Sequence, residues 1–273
     1  MNATAAHLCK NIQGAKLAYV QSDEISIVMT DFDELGTDMW FDGNIQKMAS
    51  VSSSLATSFF NDLRIRRYFG GPHNNIATEG DLTIGEHFVP GTNLEEVRDD
   101  IASFINYLPL GTFKLANFDS RVFQIHSLEE VCNYFVWRQQ DATRNSISSV
   151  AQSLYSHKEL EGKSTNEMQG MILAKDINWN DFSYREKRGA AIVKVNELWK
   201  RTKGNFKEAG TLVTDKEQLL STESSLAKSV LADSPYEFYN RGRWKAVETP
   251  IFTQETNFLI KHIPSMINEP YEV

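Results

Sequence analysis

Two short apolar, β-prone runs, Leu17 to Val20 and Ile25 to Met29, stand on either side of the polar tetrapeptide Gln21-Ser22-Asp23-Glu24. This pattern predicts a β-hairpin with two adjacent carboxylates at its tip. From Ile45 the period changes. Ile45, Met48, Ser52, Leu55, Ala56 and Phe59 recur at helical spacing, and the small residues on that face predict close packing on a sheet. Phe69 to Thr92, with Gly70-Gly71-Pro72, Gly80, Gly85 and Pro90-Gly91, reads as loop. Asn93, with Glu96 three residues on, predicts a short helix over Leu94 to Leu108. Within Phe113 to Ile125, the residues Val122, Phe123 and Ile125 mark a second strand candidate.

Ser127-Leu-Glu-Glu130 is a capping-box signature that opens a long helix. Its apolar face runs Leu128, Val131, Phe135, then Ile147, Val150, Ala151 and Leu154. The middle, from Trp137 to Asn145, is strongly polar, so it is either solvated or lines a site. Ser164-Thr-Asn-Glu167 predicts another capped helix, reaching about Lys175, and Ala190 to Val195 is β-rich. Beyond Lys203 the chain is more polar and irregular, with Trp244 and Pro250-Ile-Phe252 as a packed C-terminal edge. Lys203 to Ala209 is the best candidate for a boundary. The division is a main domain over 1–203 and a C-terminal extension, 204–273, packing on it.

Composition adds limits. A chain of 273 residues with 41% apolar and 23% charged content buries a full core as an ordinary soluble globular protein. No apolar run approaches the roughly 18 residues of a membrane helix. No signal peptide is evident at the N-terminus, so the expected compartment is cytoplasmic, without membrane partners. Cys9 and Cys132 lie far apart and read as buried or idle thiols, and the six histidines show no zinc-binding pattern. A net charge of −8 argues mildly against a nucleic-acid partner. Local patches decide binding, however, and the basic residues do cluster: Arg64, Arg66 and Arg67; Lys187 and Arg188; Lys200, Arg201 and Lys203; Arg241, Arg243 and Lys245. Each cluster is equally readable as a solvated face.

The hairpin carboxylates are the residues with the clearest chemistry. A solvated acidic turn is the plain reading of Asp23-Glu24. The chemical reading is that a rigid hairpin presents oxygen ligands to Mg²⁺, which keeps several waters and needs only one or two protein carboxylates plus phosphate oxygens.

Four segments in order decide between these readings. Tyr19-x-Gln-Ser-Asp-Glu24, Phe118-Asp-x-Arg-Val122, Tyr134-x-x-Trp-Arg-Gln-x-Asp141 with Asn145, and Lys187-Arg-Gly189 before a strand resemble the tRNA(His) guanylyltransferase family in order and spacing. The resemblance covers roughly Met1 to Val195. It implies an α+β fold, the polymerase/cyclase-like palm, a ferredoxin-like antiparallel sheet backed by helices. It also implies addition of nucleotides in the 3′–5′ direction to the 5′ end of tRNA, after adenylylation, with two Mg²⁺ ions and with ATP and GTP as substrates. A homo-oligomer, commonly a tetramer, goes with the family.

Carried over, Asp23 resembles a metal-binding acid and Glu24 the acid beside it. Ser22 falls near the triphosphate. Lys47 resembles a basic residue that contacts phosphates. Arg121 resembles a strand arginine that binds RNA or triphosphate, where a guanidinium fork suits phosphate. Asn145 falls on the first asparagine of the family's His-x-Asn-Asn segment, and Lys187 or Arg188 on a basic residue before glycine. Two departures stand out. Thr143-Arg-Asn-Ser146 lacks the histidine, as in the guanylyltransferase-like branch that repairs tRNA 5′ ends. The family's Asp-Gly-(Arg/Lys)-x-Phe-His strand, with the other metal acid, has no counterpart here, so the first strand and part of the first helix are expected to be missing. Asp31 and Asp33 are poor substitutes. The alternative expectation is therefore a catalytically impaired, tRNA-binding remnant of the family. A nucleotide cyclase, which shares the palm, is disfavoured by the Trp-Arg-Gln-x-Asp segment.

Overall fold

The hairpin forms where the apolar pattern places it. In the computed structural model, which describes residues 1–33, 36–69, 114–204, 211–212 and 235–264, β1 (Ala15–Gln21) and β2 (Glu24–Met29) pair antiparallel from Gln21↔Glu24 to Ala15↔Met29. Ser22 and Asp23 make the turn. Ser22 has φ 48°, a left-handed conformation that a non-glycine residue adopts only where the surrounding structure requires it.

β1 is central. Its other edge pairs antiparallel with β3 (Ala190–Thr202), from Leu17↔Val193 to Val20↔Ala190. Sandwiched between two strands and covered on both faces, Leu17 to Val20 are all buried. β3 runs on beyond β1, and there it meets β4 (Thr211–Leu212). Along its opposite edge β3 pairs residue for residue with β5 (Tyr236–Val247), from Ala191↔Val247 to Thr202↔Tyr236. The predicted α+β architecture, an antiparallel sheet backed by helices, is the one observed.

Successive strand residues point to opposite faces, so each face of the sheet has its own core. On one face Ala18, Val20 and Ile192 meet Ala5 and Cys9 of α1 (Asn2–Asn11). Burial pushes the Cys9 thiol up to about 12, so it stays protonated. α2 (Ile45–Phe69) extends this layer: its Met48 and Ala56 join Leu8, Ile12 and Trp40, with Ile25, Ile27 and Met29 of β2 packed against them. On the other face Leu17, Tyr19 and Val193 meet Val131 and Phe135 of α3 (Leu128–Leu154), together with Phe252 and Leu259. Leu259 belongs to α7 (Thr256–His262). The far half of α3 builds a satellite cluster, with Ile147 and Ala151 against Leu160 of α4 (His157–Leu160) and Ile172 of α5 (Thr165–Leu173).

The caps behave as the side-chain chemistry dictates. Ser127 Oγ accepts from the Glu130 N–H, and Ser164 with Glu167 forms the full reciprocal box. A further box, Ser183 with Glu186, starts α6 (Tyr184–Arg188), which delivers the chain to β3.

The strand predicted within Phe113 to Ile125 is absent from the described part of that segment. The backbone of its first part, Ala116 to Phe118, is held by α2 instead. Asn61 donates to the Ala116 carbonyl at 2.8 Å and accepts from the Ala116 N–H at 2.9 Å, and Thr57 Oγ1 accepts from the Phe118 N–H at 3.0 Å. Extended chain with its polar groups satisfied by a helix has no need of a strand partner. The loop expected from Gly70, the helix expected over Leu94 to Leu108, and most of the Lys203 to Ala209 boundary lie outside the described residues.

Candidate functional site

Asp23 and Glu24 are neighbours with different fates. Both are exposed at the hairpin tip. Asp23 stands in the turn itself. Glu24 begins β2, and its carboxylate reaches α3: Oε2 forms an ion pair with Arg138, whose side chain is only 12% exposed, while the Glu24 side chain is 55% exposed. The same oxygen accepts from Gln21 Nε2 at 2.8 Å. Gln21 closes the hairpin opposite Glu24, so the two side chains meet on one face of the ladder.

The network continues into α3. Gln21 Nε2 also reaches Asp141 Oδ2 at 3.4 Å, and that oxygen accepts from Asn145 Nδ2 at 3.2 Å. Arg144 donates to the other Asp141 oxygen at 3.3 Å. Arg138, Asp141 and Asn145 recur at three- and four-residue spacing, so one helix face presents all three to the hairpin. The polar middle of α3 thus faces the hairpin tip.

Tyr19 ties the fourth motif, Lys187-Arg-Gly189, to this place. Its ring is buried, and its hydroxyl donates to the Arg188 carbonyl. Burial raises its pKa, opposed by Arg138 and Arg188 and assisted by Asp141, so these three charges surround the phenol. Arg188 Nε donates to the Thr249 carbonyl at 3.2 Å. Gly189 follows with φ 76°, and a Cβ there would collide with the Val20 carbonyl oxygen and lie 2.8 Å from Tyr19 Oη. Glycine is the residue this approach permits.

Of the expected site residues, the structure therefore joins Glu24, Asn145 and Arg188 around Gln21, Arg138, Asp141 and Tyr19, with Ser22 and Asp23 at the tip. Lys187 turns away, donating to the Asn180 carbonyl at 2.6 Å. Lys47 lies on α2 over the Phe41 ring, 4.4 Å from its centroid. Arg121 is 88% exposed on the segment that crosses α2, 3.6 Å from Asp119. Arg138, Gln21 and Asp141 received no role from the sequence. The signal for Arg138 and Asp141 was the polar interruption of an otherwise amphipathic helix, and for Gln21 the polar break between two β-prone runs.

The donor set fits Mg²⁺ better than a soft metal. Among the described residues no three His, Cys, Asp or Glu side chains converge to cage an ion. Two exposed carboxylates, one with a free oxygen, suit a cation whose other ligands are water and phosphate.

The family model for Thg1, tRNA(His) guanylyltransferase, matches residues 1–126. A bacterial tRNA(His) guanylyltransferase (Thg1)-like protein, solved in complex with ATP, is 30% identical over 96% of this chain and 76% of its own, with a TM-score of 0.59. The chain belongs to the tRNA(His) guanylyltransferase family. The structure of a bacterial Thg1-like protein in complex with GTP is likewise 30% identical, covering 94% of this chain and 72% of its own, with a TM-score of 0.54. No curated protein sequence matches significantly. Family membership places the chain among nucleotidyltransferases of the tRNA guanylyltransferase type. No helix among the described residues is long and apolar enough to cross a membrane.

Proposed function

We propose that this chain adds nucleotides in the 3′–5′ direction to the 5′ end of tRNA. The observation that carries this reading is the hairpin carboxylate pair, Asp23 in the turn and Glu24 held against α3, in a member of the guanylyltransferase family. In the first step an oxygen of the tRNA 5′-monophosphate attacks the α-phosphorus of ATP, and pyrophosphate leaves. In the second, the 3′-hydroxyl of GTP attacks the activated 5′ phosphate, and AMP leaves. Asp23 and Glu24 would hold Mg²⁺, two ions in this reading, which would supply charge neutralisation for the transferring phosphoryl group.

The chain's own residues do the positioning. Arg138 and Gln21 fix Glu24, and Asp141 orients Asn145 beside it. Ser22 sits beside Asp23 at the tip, next to the triphosphate. Arg188, and at the outer rim Lys47, Arg121 and Lys187, supply charge for phosphate and RNA. A cytoplasmic homo-oligomer, a tetramer in this reading, with 204–273 as an extension of the 1–203 domain, completes the proposal.

The test uses a 5′-monophosphorylated tRNA lacking its first nucleotide, with ATP, GTP and Mg²⁺. Asp23→Ala is expected to lose both adenylylation and addition by at least about 10²-fold, the scale of losing one charge-stabilising group, with tRNA affinity retained in a gel shift. Undiminished addition by that variant refutes the metal role. An unmutated chain that binds tRNA but turns nothing over supports the binding-only alternative.

A further inference from the structure

Glu24 is held through Oε2. Arg138 and the Gln21 amide both converge on Oε2, and among the described residues no hydrogen bond occupies Oε1 of this half-exposed side chain. The two donors come from different elements, α3 and β1, so the carboxylate cannot rotate without breaking both. Gln21 is 6% exposed and is itself anchored by Asp141. Two polar atoms in this buried layer, Gln21 Oε1 and Arg138 Nε, have no hydrogen-bond partner among the described residues. Orphaned buried atoms are costly in a purely structural linkage, where an apolar pair would serve as well. Their persistence here points to a demand on the carboxylate above them.

We infer that Arg138 is a positioning residue: it aims Glu24 Oε1 at a divalent cation bound with the nucleoside triphosphate. The inference rests on the function proposed above. Arg138 touches neither cation nor nucleotide; it acts through Glu24, as hydrogen-bonded partners of metal-binding carboxylates do. The opposite effect is also physically available, because a guanidinium beside the carboxylate repels a second cation. The sign of the effect therefore separates the two. If positioning dominates, removing Arg138 weakens cation binding; if repulsion dominates, removing it tightens binding.

The experiment measures Mn²⁺ binding to the full chain by electron paramagnetic resonance, in the presence of a non-hydrolysable α,β-methylene ATP analogue. Arg138→Met is expected to raise the Mn²⁺ Kd by about 10–100-fold. Arg138→Lys, which keeps the charge but loses the fork, is expected to give a smaller increase. Affinity for the analogue at saturating Mn²⁺ should be unchanged, and in turnover the Mg²⁺ concentration that gives half-maximal rate should rise. A purely structural role would move melting temperature without this split. Where Arg138→Met does not fold, Arg138→Lys carries the same comparison. Unchanged or tighter Mn²⁺ binding overturns the inference. Asp23→Asn and Glu24→Gln serve as reference variants. If both leave Mn²⁺ binding intact, the reading of the acid pair fails along with the inference. If they weaken it and the Arg138 variants do not, the positioning role alone falls.

Discussion

At the scale of the residue, neighbours in sequence do different work because the backbone sends them different ways. Asp23 in the turn stays exposed, whereas Glu24, one residue on and at the start of β2, is held by Arg138 and Gln21. The carboxylates were legible in the sequence, since a polar break between two β-prone runs is a local signal. Which of the two would be anchored was not, because Arg138 lies more than a hundred residues away. Gly189 is the plainest single-residue test. Its φ of 76° and ψ of −168° belong to a region that only glycine enters freely, and the Val20 carbonyl fills the space a side chain needs. Gly189→Ala is expected to lower stability in urea by at least about 1–3 kcal/mol, the range for a strained backbone position. An unchanged unfolding midpoint would mean that this approach of β1 to α6 is looser than described.

At the scale of the element, helix caps and periodicity predicted what they physically control. Ser164 and Glu167 capped α5 because that bond is local. The expected strand at Val122 to Ile125 failed for the converse reason: β-propensity describes residues that fit a half-buried surface, and here Val122 finds it beside α1 and α2 and Ile125 beside α3, with Phe123 exposed against Tyr134. The α1–α2 contact carries a pH dependence. His7 stacks on Phe59 with ring centroids 3.9 Å apart, and its pKa is lowered from 6.5, first by burial and then by Lys10. The native state thus favours neutral imidazole. Its contribution is fully present above the unfolded value of 6.5 and is lost as pH falls through the lowered native value. Acidification across that window should lower the melting temperature of the unmutated chain more than that of His7→Phe, which keeps the stack without the titration. Parallel melting curves for the two proteins would remove His7 from the account.

At the scale of the whole molecule, one helix binds the parts together. Along α3, Arg138 holds the hairpin while its neighbour Gln139 turns the other way, into the core between α3 and the C-terminal segment. Gln139 is 5% exposed, donates to the Pro250 carbonyl at 2.8 Å and accepts from the Phe252 N–H at 2.8 Å. Phe252 in turn packs on Tyr19, with centroids 5.6 Å apart. Gln139→Leu leaves both backbone groups unpaired, one buried and one half-buried, an expected loss of about 2–6 kcal/mol at 1–3 kcal/mol each. Denaturant unfolding measures it. A loss below about 0.5 kcal/mol would show that water or a local shift re-satisfies both groups.

Local chemistry wrote the hairpin, the capped helices, the β-rich run at Ala190 and the acid pair into the sequence, because each depends on residues within a turn or two of one another. The order of the strands, the pairing of β5 along the whole of β3, the divided roles of Arg138 and Gln139 and the path of residues 114–126 over α2 were decided by tertiary structure. These depend on contacts between groups far apart in the chain. No periodicity within one segment records which distant donor satisfies a given carboxylate or carbonyl.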